Sequence, residues 1–355
     1  MISRLLTASL LGVAALFTNV AAQSQTVNAP SSSGSCAAEG DLKFVCGIAS
    51  AEDLLAIEGG KYLVASSFDQ NKAVGFYLVD TAAKTARPMH LSVAAKRDPE
   101  FSACPGAPDF TKIYTHGIEV GPTRSGETLV YAVNHGGRES VEVFIVNPRA
   151  NSAAWVGCVV LPQESFGNAV YRMHDGSLLI TQFFEKRVGQ PSNQNPTVTG
   201  LVFHWTKEKG LTKVPGSEFS GDNGVLGSRD GKFVFVAAWG TDEVWRIPLD
   251  GTGPRRSAKF DFRTDNLRWA PDGSILVVGQ SSPIPTATGA TAPAAHPLPE
   301  DWVFARLDPQ IMTSLLVLKE KGTTAFGNGT SAVQVGKTVW FGTYGGDRIA
   351  YTEMP

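Results

Sequence analysis

Residues 220–237 read SGDNGVLGSRDGKFVFVA, two strand-like runs joined by a tight Asp-Gly turn, with Asn223 eight residues ahead of the turn glycine Gly231. The turn pattern is a residue that is usually small or acidic, then Gly, a polar residue and a β-rich apolar run. It recurs at EGGKYLVAS, RSGETLVYAV, HDGSLLIT, PDGSILVVG and QVGKTVWFG. The glycines are Gly60, Gly126, Gly176, Gly231, Gly273 and Gly336, separated by 66, 50, 55, 42 and 63 residues. Units of this length, each with one Gly-containing turn and no long helical pattern, predict an all-β chain folded as a six-bladed β-propeller around a central channel. The competing architecture is an ordinary β-sandwich or barrel with frequent Asp-Gly hairpins.

Ring closure tests the reading. After Gly336 only TVWFGTY and DRIAYTE remain, so the last blade needs a strand from elsewhere. The stretch DLKFVCG, residues 41–47, precedes the first unit and has no blade of its own. Paired with the C-terminal strand, it would cover an otherwise open edge and close the ring.

Counting back eight positions from each turn glycine gives Glu52, Ile118, Asn168, Asn223, Asp265 and Asn328. The innermost strand of each blade lines the channel, so one repeat phase becomes a ring of side chains around the axis. Five oxygen-bearing groups inside a narrow channel are costly unless something pairs with them. Carboxylate and amide oxygens, with no thiolate and no histidine at the ring positions, suit a hard cation. Ca²⁺ fits better than Mg²⁺, which keeps several waters and demands stricter geometry. Taken singly, each residue has a plainer explanation. Asn223-Gly224 and Asn328-Gly329 are turn-like, Asn328-Gly329-Thr330 is a glycosylation sequon, and Glu52-Asp53 and Asp265-Asn266 suit solvated loops.

Several function classes are disfavoured. With 33 acidic and 31 basic residues, net charge −2 and no Lys/Arg run, nucleic acid is not an expected partner. The first 22 residues have an early arginine, an apolar segment too short for a membrane span, and small residues at Val20-Ala21-Ala22. That layout predicts a secretory signal and a secreted or periplasmic mature chain. Residues 23–40 read as a flexible leader and residues 41–355 as one propeller domain. Cys36, Cys46, Cys104 and Cys158 form no CxxC pair and, in an exported chain, favour disulfides, with three pairings open.

The stretches AEDL (51–54), THGIEV (115–120), VYAVNHGGRESVEVF (130–144), the Asn168 segment, SGDNGVLGSRDGKFVFVA and DFRTDNLRWAPDGSILVVG resemble the paraoxonase/arylesterase family of calcium-dependent lactonases. More distantly they resemble the gluconolactonase and diisopropylfluorophosphatase propellers. The resemblance runs from about residue 45 to the C-terminus, and HGI followed by VNH with the VEVF strand is its most specific part. It implies a catalytic Ca²⁺ at the channel mouth held by Glu52, Asn168, Asn223, Asp265 and Asn266, four of which the count had reached. It also implies a histidine dyad, His116 and His135. A second, structural Ca²⁺ would use Asp53 and the carbonyl of Ile118, but the further acid expected there is Ala169. The family's disulfide from the N-terminal strand to the last strand cannot form, because no cysteine follows Cys158.

The expected chemistry is water attack on a lactone or aryl ester, with His116 as base and His135 orienting it. His116 starts an inner strand and His135 ends the antiparallel second strand of the same blade, which returns both to one face. No G-x-S-x-G elbow suggests a covalent nucleophile. His90, His174, His204 and His296 are read as structural. Phe68, Phe184, Trp239 and Tyr344, each eight residues after a turn glycine, are expected to line the substrate pocket, and residues 281–301 to form a long loop over it. A sugar lactonase, a phosphotriesterase or a non-catalytic ligand-binding propeller are the alternative functions.

Overall fold

The computed structural model describes residues 36–121, 127–191, 197–281 and 299–354. The expected signal segment, most of the expected leader, Gly126 and most of the 281–301 loop therefore lie outside the described residues. The described chain forms six sheets, one per blade, each built on four antiparallel strands, as expected. Their inner strands are Leu54–Ile57, Thr115–Val120, Ser165–Arg172, Asp222–Gly227, Arg263–Trp269 and Gly329–Val335.

The ring closes as the sequence requires. Strand Lys43–Cys46 runs antiparallel to Arg348–Glu353, with Lys43 opposite Tyr351 and Cys46 opposite Arg348. The second blade departs from the four-strand rule. Strand His90–Val93 adds in parallel to the outer edge of Ser152–Val160 and gives that blade a fifth strand. Blades pack through large apolar side chains, with Trp155, Trp302 and Trp340 all 1% exposed or less.

Register breaks decide where side chains point. Five of the six inner strands carry an irregularity, at Thr115/Ile118, Gly167/Val170, Asp222/Val225, Thr264/Leu267 and Gly329/Ser331. A bulge inserts residues that the neighbouring strand does not pair and re-aims their side chains. In four of these strands the skipped residues include His116, Asn168, Asn223, Asp265 and Asn266, the residues expected at the channel mouth.

The cysteines pair as Cys36–Cys46 and Cys104–Cys158. The first ties the chain from Cys36 onward to the closing strand. The second fastens the connection between the first two blades to the second blade. Two disulfides point to a non-cytoplasmic location. Among the described residues no helix is long and apolar enough to cross a membrane.

Closure through residues 43–46 has a measurable consequence. Leu42, Phe44 and Val45 are all buried, and burying each such side chain contributes about 1.5–3 kcal/mol. A chain begun at residue 48 is expected to melt at least 10 °C lower than one begun at residue 23, at about 2–4 °C per kcal/mol for large domains, or to lose solubility through the exposed edge. A chain begun at residue 36 is expected to melt like one begun at residue 23. Equal thermal unfolding of the two truncations would contradict the closure.

Candidate metal centre and histidine pair

At one end of the channel the inner strands come so close that only glycine fits beside some ring residues. A Cβ on Gly117 would stand 2.5 Å from the carbonyl oxygen of Asn168, and one on Gly224 would stand 2.6 Å from that of Asp265. This approach brings Glu52, Asn168, Asn223, Asp265 and Asn266 together, each 5% exposed or less. Asn266 Nδ2 donates to Glu52 Oε1 at 2.5 Å. Gln280 Nε2 donates to Asp265 Oδ2 at 2.8 Å, and Asn223 also hydrogen bonds to that carboxylate.

Three buried oxygens of this set have no hydrogen-bond partner: Glu52 Oε2, Asn168 Oδ1 and Asn223 Oδ1. An unpaired buried oxygen costs roughly 1–3 kcal/mol. The two carboxyls are destabilised as anions as well. Burial, then the charges of Asp265 and Asp53, push the Glu52 carboxyl well above its usual range. Burial raises Asp265 to about 7, although Gln280 and Asn223 donate to it. Unpaired oxygens around two disfavoured carboxylates are the donor set that a hard cation satisfies. Among the described residues no group of three or more His, Cys, Asp and Glu side chains is placed to hold a metal. The oxygens beyond the two carboxylates come from amides.

Asn328 sits at the same repeat phase but differs. Its Oδ1 accepts from the Glu300 backbone N–H at 2.7 Å, so that oxygen is already used. At 4% exposure it is not displayed as a surface acceptor.

The second cation position is filled by the chain itself. Arg268 Nη2 donates to Asp53 Oδ1 at 3.0 Å, Asp53 Oδ2 at 2.8 Å and the Ile118 carbonyl at 3.0 Å. Its Nη1 lies 3.4 Å from Glu119 Oε2. The two groups that the family resemblance assigns to a structural calcium are thus held by a guanidinium, which joins the first, second and fifth blades across the axis. The sequence reading missed it, although a lone arginine three residues after a ring acid on an inner strand was a visible signal.

The two histidines meet as the antiparallel pairing requires. His116 Nδ1 lies 3.0 Å from His135 Nε2. His116 Nε2 faces the oxygen ring, 3.4 Å from Asn168 Nδ2 and 3.8 Å from Glu52 Oε1. Burial and the neighbouring His135 charge hold His116 well below its ordinary value, against the pull of the Gly167 carbonyl. His116 is therefore neutral near pH 7, the form able to take a proton. Glu139, absent from the sequence reading, accepts from His135 Nδ1 at 2.9 Å. An acid four residues after the candidate orienting histidine was the signal for it.

The expected wall residues divide into two groups. Phe68 stacks on His116 with centroids 4.1 Å apart, and Phe184 stacks at 4.8 Å on Phe166, which stacks at 4.1 Å on His135. Phe166 was not anticipated. On the other side Trp239 Nε1 donates to Gln280 at 3.2 Å. Tyr344 donates to Glu300 Oε1 at 3.1 Å, and Glu300 pairs with Arg263. One side of the opening is aromatic and the other polar. A cavity of about 390 Å³, lined in part by Ile57, Gly60, Val120 and Gln334, contains none of the ring residues.

No family model and no curated protein matches the chain. Solved structures do match its fold. A luciferin-regenerating enzyme superposes with TM-score 0.56 at 13% identity, over 86% of this chain and 92% of the other. A gluconolactonase from Xanthomonas campestris gives 0.53 at 14% identity, over 88% and 89%. The calcium-binding protein regucalcin from Agrobacterium tumefaciens gives 0.51 at 10% identity, over 87% and 92%. The fold is that of the gluconolactonase-like propellers. This agrees with the wider group to which the sequence motifs point, and at these identities it speaks for the fold alone.

Proposed function

We propose that the protein is a secreted, calcium-dependent hydrolase of lactones and aryl esters. The observation that carries the reading is three unpaired buried oxygens, Glu52 Oε2, Asn168 Oδ1 and Asn223 Oδ1, beside a hydrogen-bonded histidine pair. The gluconolactonases among the structural neighbours support a lactone-type substrate.

Glu52, Asn168, Asn223, Asp265 and Asn266 would hold the metal. The chemistry that a bound calcium ion supplies is polarisation of a carbonyl and stabilisation of the negative charge that develops on its oxygen. His116 Nε2 accepts the proton of the attacking water. His135 takes up the resulting charge through the 3.0 Å hydrogen bond and orients the ring. Phe68 and Phe166, stacked on the two imidazoles, keep bulk water from them and offer an apolar surface to the acyl or aryl group.

The polar wall of Arg263, Glu300 and Tyr344 supports a second substrate reading, a hydroxylated sugar lactone, since these groups can hydrogen bond to ring hydroxyls. A panel of aryl esters, alkyl lactones and a sugar lactone separates the two on the purified mature chain. Exhaustive chelation is expected to abolish hydrolysis, and Ca²⁺ to restore it better than Zn²⁺. Full activity after chelation would overturn the metal assignment.

A further inference from the structure

The loop between the second and third strands of the second blade reads His135-Gly136-Gly137-Arg138-Glu139. It is held from several sides. Asn134 Oδ1 accepts from the Gly136 N–H at 3.0 Å, and Asn134 Nδ2 donates to the Gly136 and Arg138 carbonyls at 3.1 and 3.2 Å. A Cβ on Gly136 would stand 1.8 Å from the Lys112 carbonyl oxygen, so the 104–112 segment presses directly on the turn. Arg138 donates to the Gly106 carbonyl at 2.8 Å and to Glu142.

This fixed loop delivers Glu139 beneath the histidine pair. The carboxylate is 7% exposed, and its two oxygens have separate duties. Oε1 faces Lys186 Nζ at 3.1 Å. Oε2 faces His135 Nδ1 at 2.9 Å and the Gly167 N–H at 3.3 Å. Burial alone would raise this carboxyl, but His135 and Lys186 outweigh it and hold it below its usual value. It is therefore an anion that accepts only.

We propose that Glu139 is a positioning residue that sets the tautomers of both histidines and so leaves the lone pair of His116 Nε2 facing the oxygen ring. An ionised carboxylate has no proton to donate, so Nδ1 of His135 must carry one. Nε2 of His135 is then bare and must accept from His116 Nδ1–H across 3.0 Å. That leaves His116 Nε2 without a proton, the only form that accepts from Asn168 Nδ2 at 3.4 Å. The Asn168 amide is turned accordingly, with nitrogen to the imidazole and the unpaired Oδ1 left for the ring. When His116 takes a proton at Nε2, its Nδ1 proton can pass to His135 Nε2, and the positive charge then lies against Glu139. Proton and charge balance without any further group. Lys186 screens the far oxygen and keeps the carboxylate ionised.

The inference rests on the hydrolase reading for its consequence in rate but not for its tautomer prediction, so two independent measurements test it. The first uses the metal-free mature protein with ¹⁵N-labelled histidine. Wild type is expected to show His135 protonated at Nδ1 and His116 at Nδ1. In Glu139→Gln the amide can donate to His135 Nδ1, and the population is expected to move toward the Nε2–H tautomer. An unchanged histidine spectrum in a folded Glu139→Gln protein would overturn the proposal, whether or not any substrate is found.

The second measurement is kinetic. Glu139→Gln is expected to lower kcat at least about 10²-fold with little change in KM, as when the group that orients a catalytic histidine is removed. Combined with His135→Gln it should add almost nothing, because Glu139 acts through His135. Additive losses in the double variant would overturn the positioning role. Circular dichroism of each variant shows that the fold is retained.

Discussion

His116→Gln is expected to lower kcat by about 10²–10⁴, the usual effect of removing a general base, while calcium affinity and melting temperature change little. The imidazole is not one of the oxygen donors, and its contacts with Asn168 and Glu52 are long, at 3.4 and 3.8 Å. The loss should be greatest for substrates with poor leaving groups, where water attack is hardest. The rate profile discriminates further. A base works unprotonated, so activity falls as the pH drops through its value. Burial and the His135 charge hold His116 well below the ordinary histidine range, so the acid limb should lie below that range as well. A nearby bound cation pushes in the same direction. The limb should disappear in the Gln variant. If it persists at full rate, His116 is not the base.

Arg268→Met should destabilise the fold by about 3–5 kcal/mol, the cost of leaving buried charges without their partner, and lower the melting temperature by roughly 10 °C. The guanidinium bonds both Asp53 oxygens and the Ile118 carbonyl, with Glu119 beside it. Its loss strands a buried carboxylate in the first blade and another in the second. The pH dependence follows from Glu119, which burial raises to about 7 even with Arg268 present. A carboxyl raised above its unfolded value stabilises the folded state fully below that value, and the contribution is lost as pH rises through the folded value. Removing the guanidinium moves the folded value higher still. The gap between wild type and variant should therefore be smaller near pH 5 and widen above about pH 7. Calorimetry across that range checks it, and a variant that melts like wild type at pH 8 would show that the axial guanidinium is not a staple.

The sequence made the blades legible because turn chemistry is local. A Gly that accepts a positive φ, such as Gly231 at 72° or Gly273 at 88°, is demanded wherever two strands turn tightly, and it stays visible as a repeat. Counting from those glycines reached Glu52, Asn168, Asn223 and Asp265, since a strand has a fixed rise and a repeat fixes its phase. His116 and His135 came from the family resemblance, and as two ends of one hairpin they return to one face. Asn328 shows the limit of counting. It shares the phase, yet Glu300, near the end of the long insertion, takes its oxygen.

The sequence by itself thus determined the number of blades, the closing strand and most of the oxygen ring, all of which follow from short-range periodicity. Only the tertiary structure decided the disulfide pairing, the unpaired state of three oxygens, the guanidinium across the axis and Glu139 beneath His135. The guanidinium and the unpaired oxygens depend on residues far apart in the chain, such as Arg268 and Asp53, meeting at a channel that no single blade contains. They depend also on bulges that turn a side chain toward the axis without leaving a mark in the hydrophobic pattern.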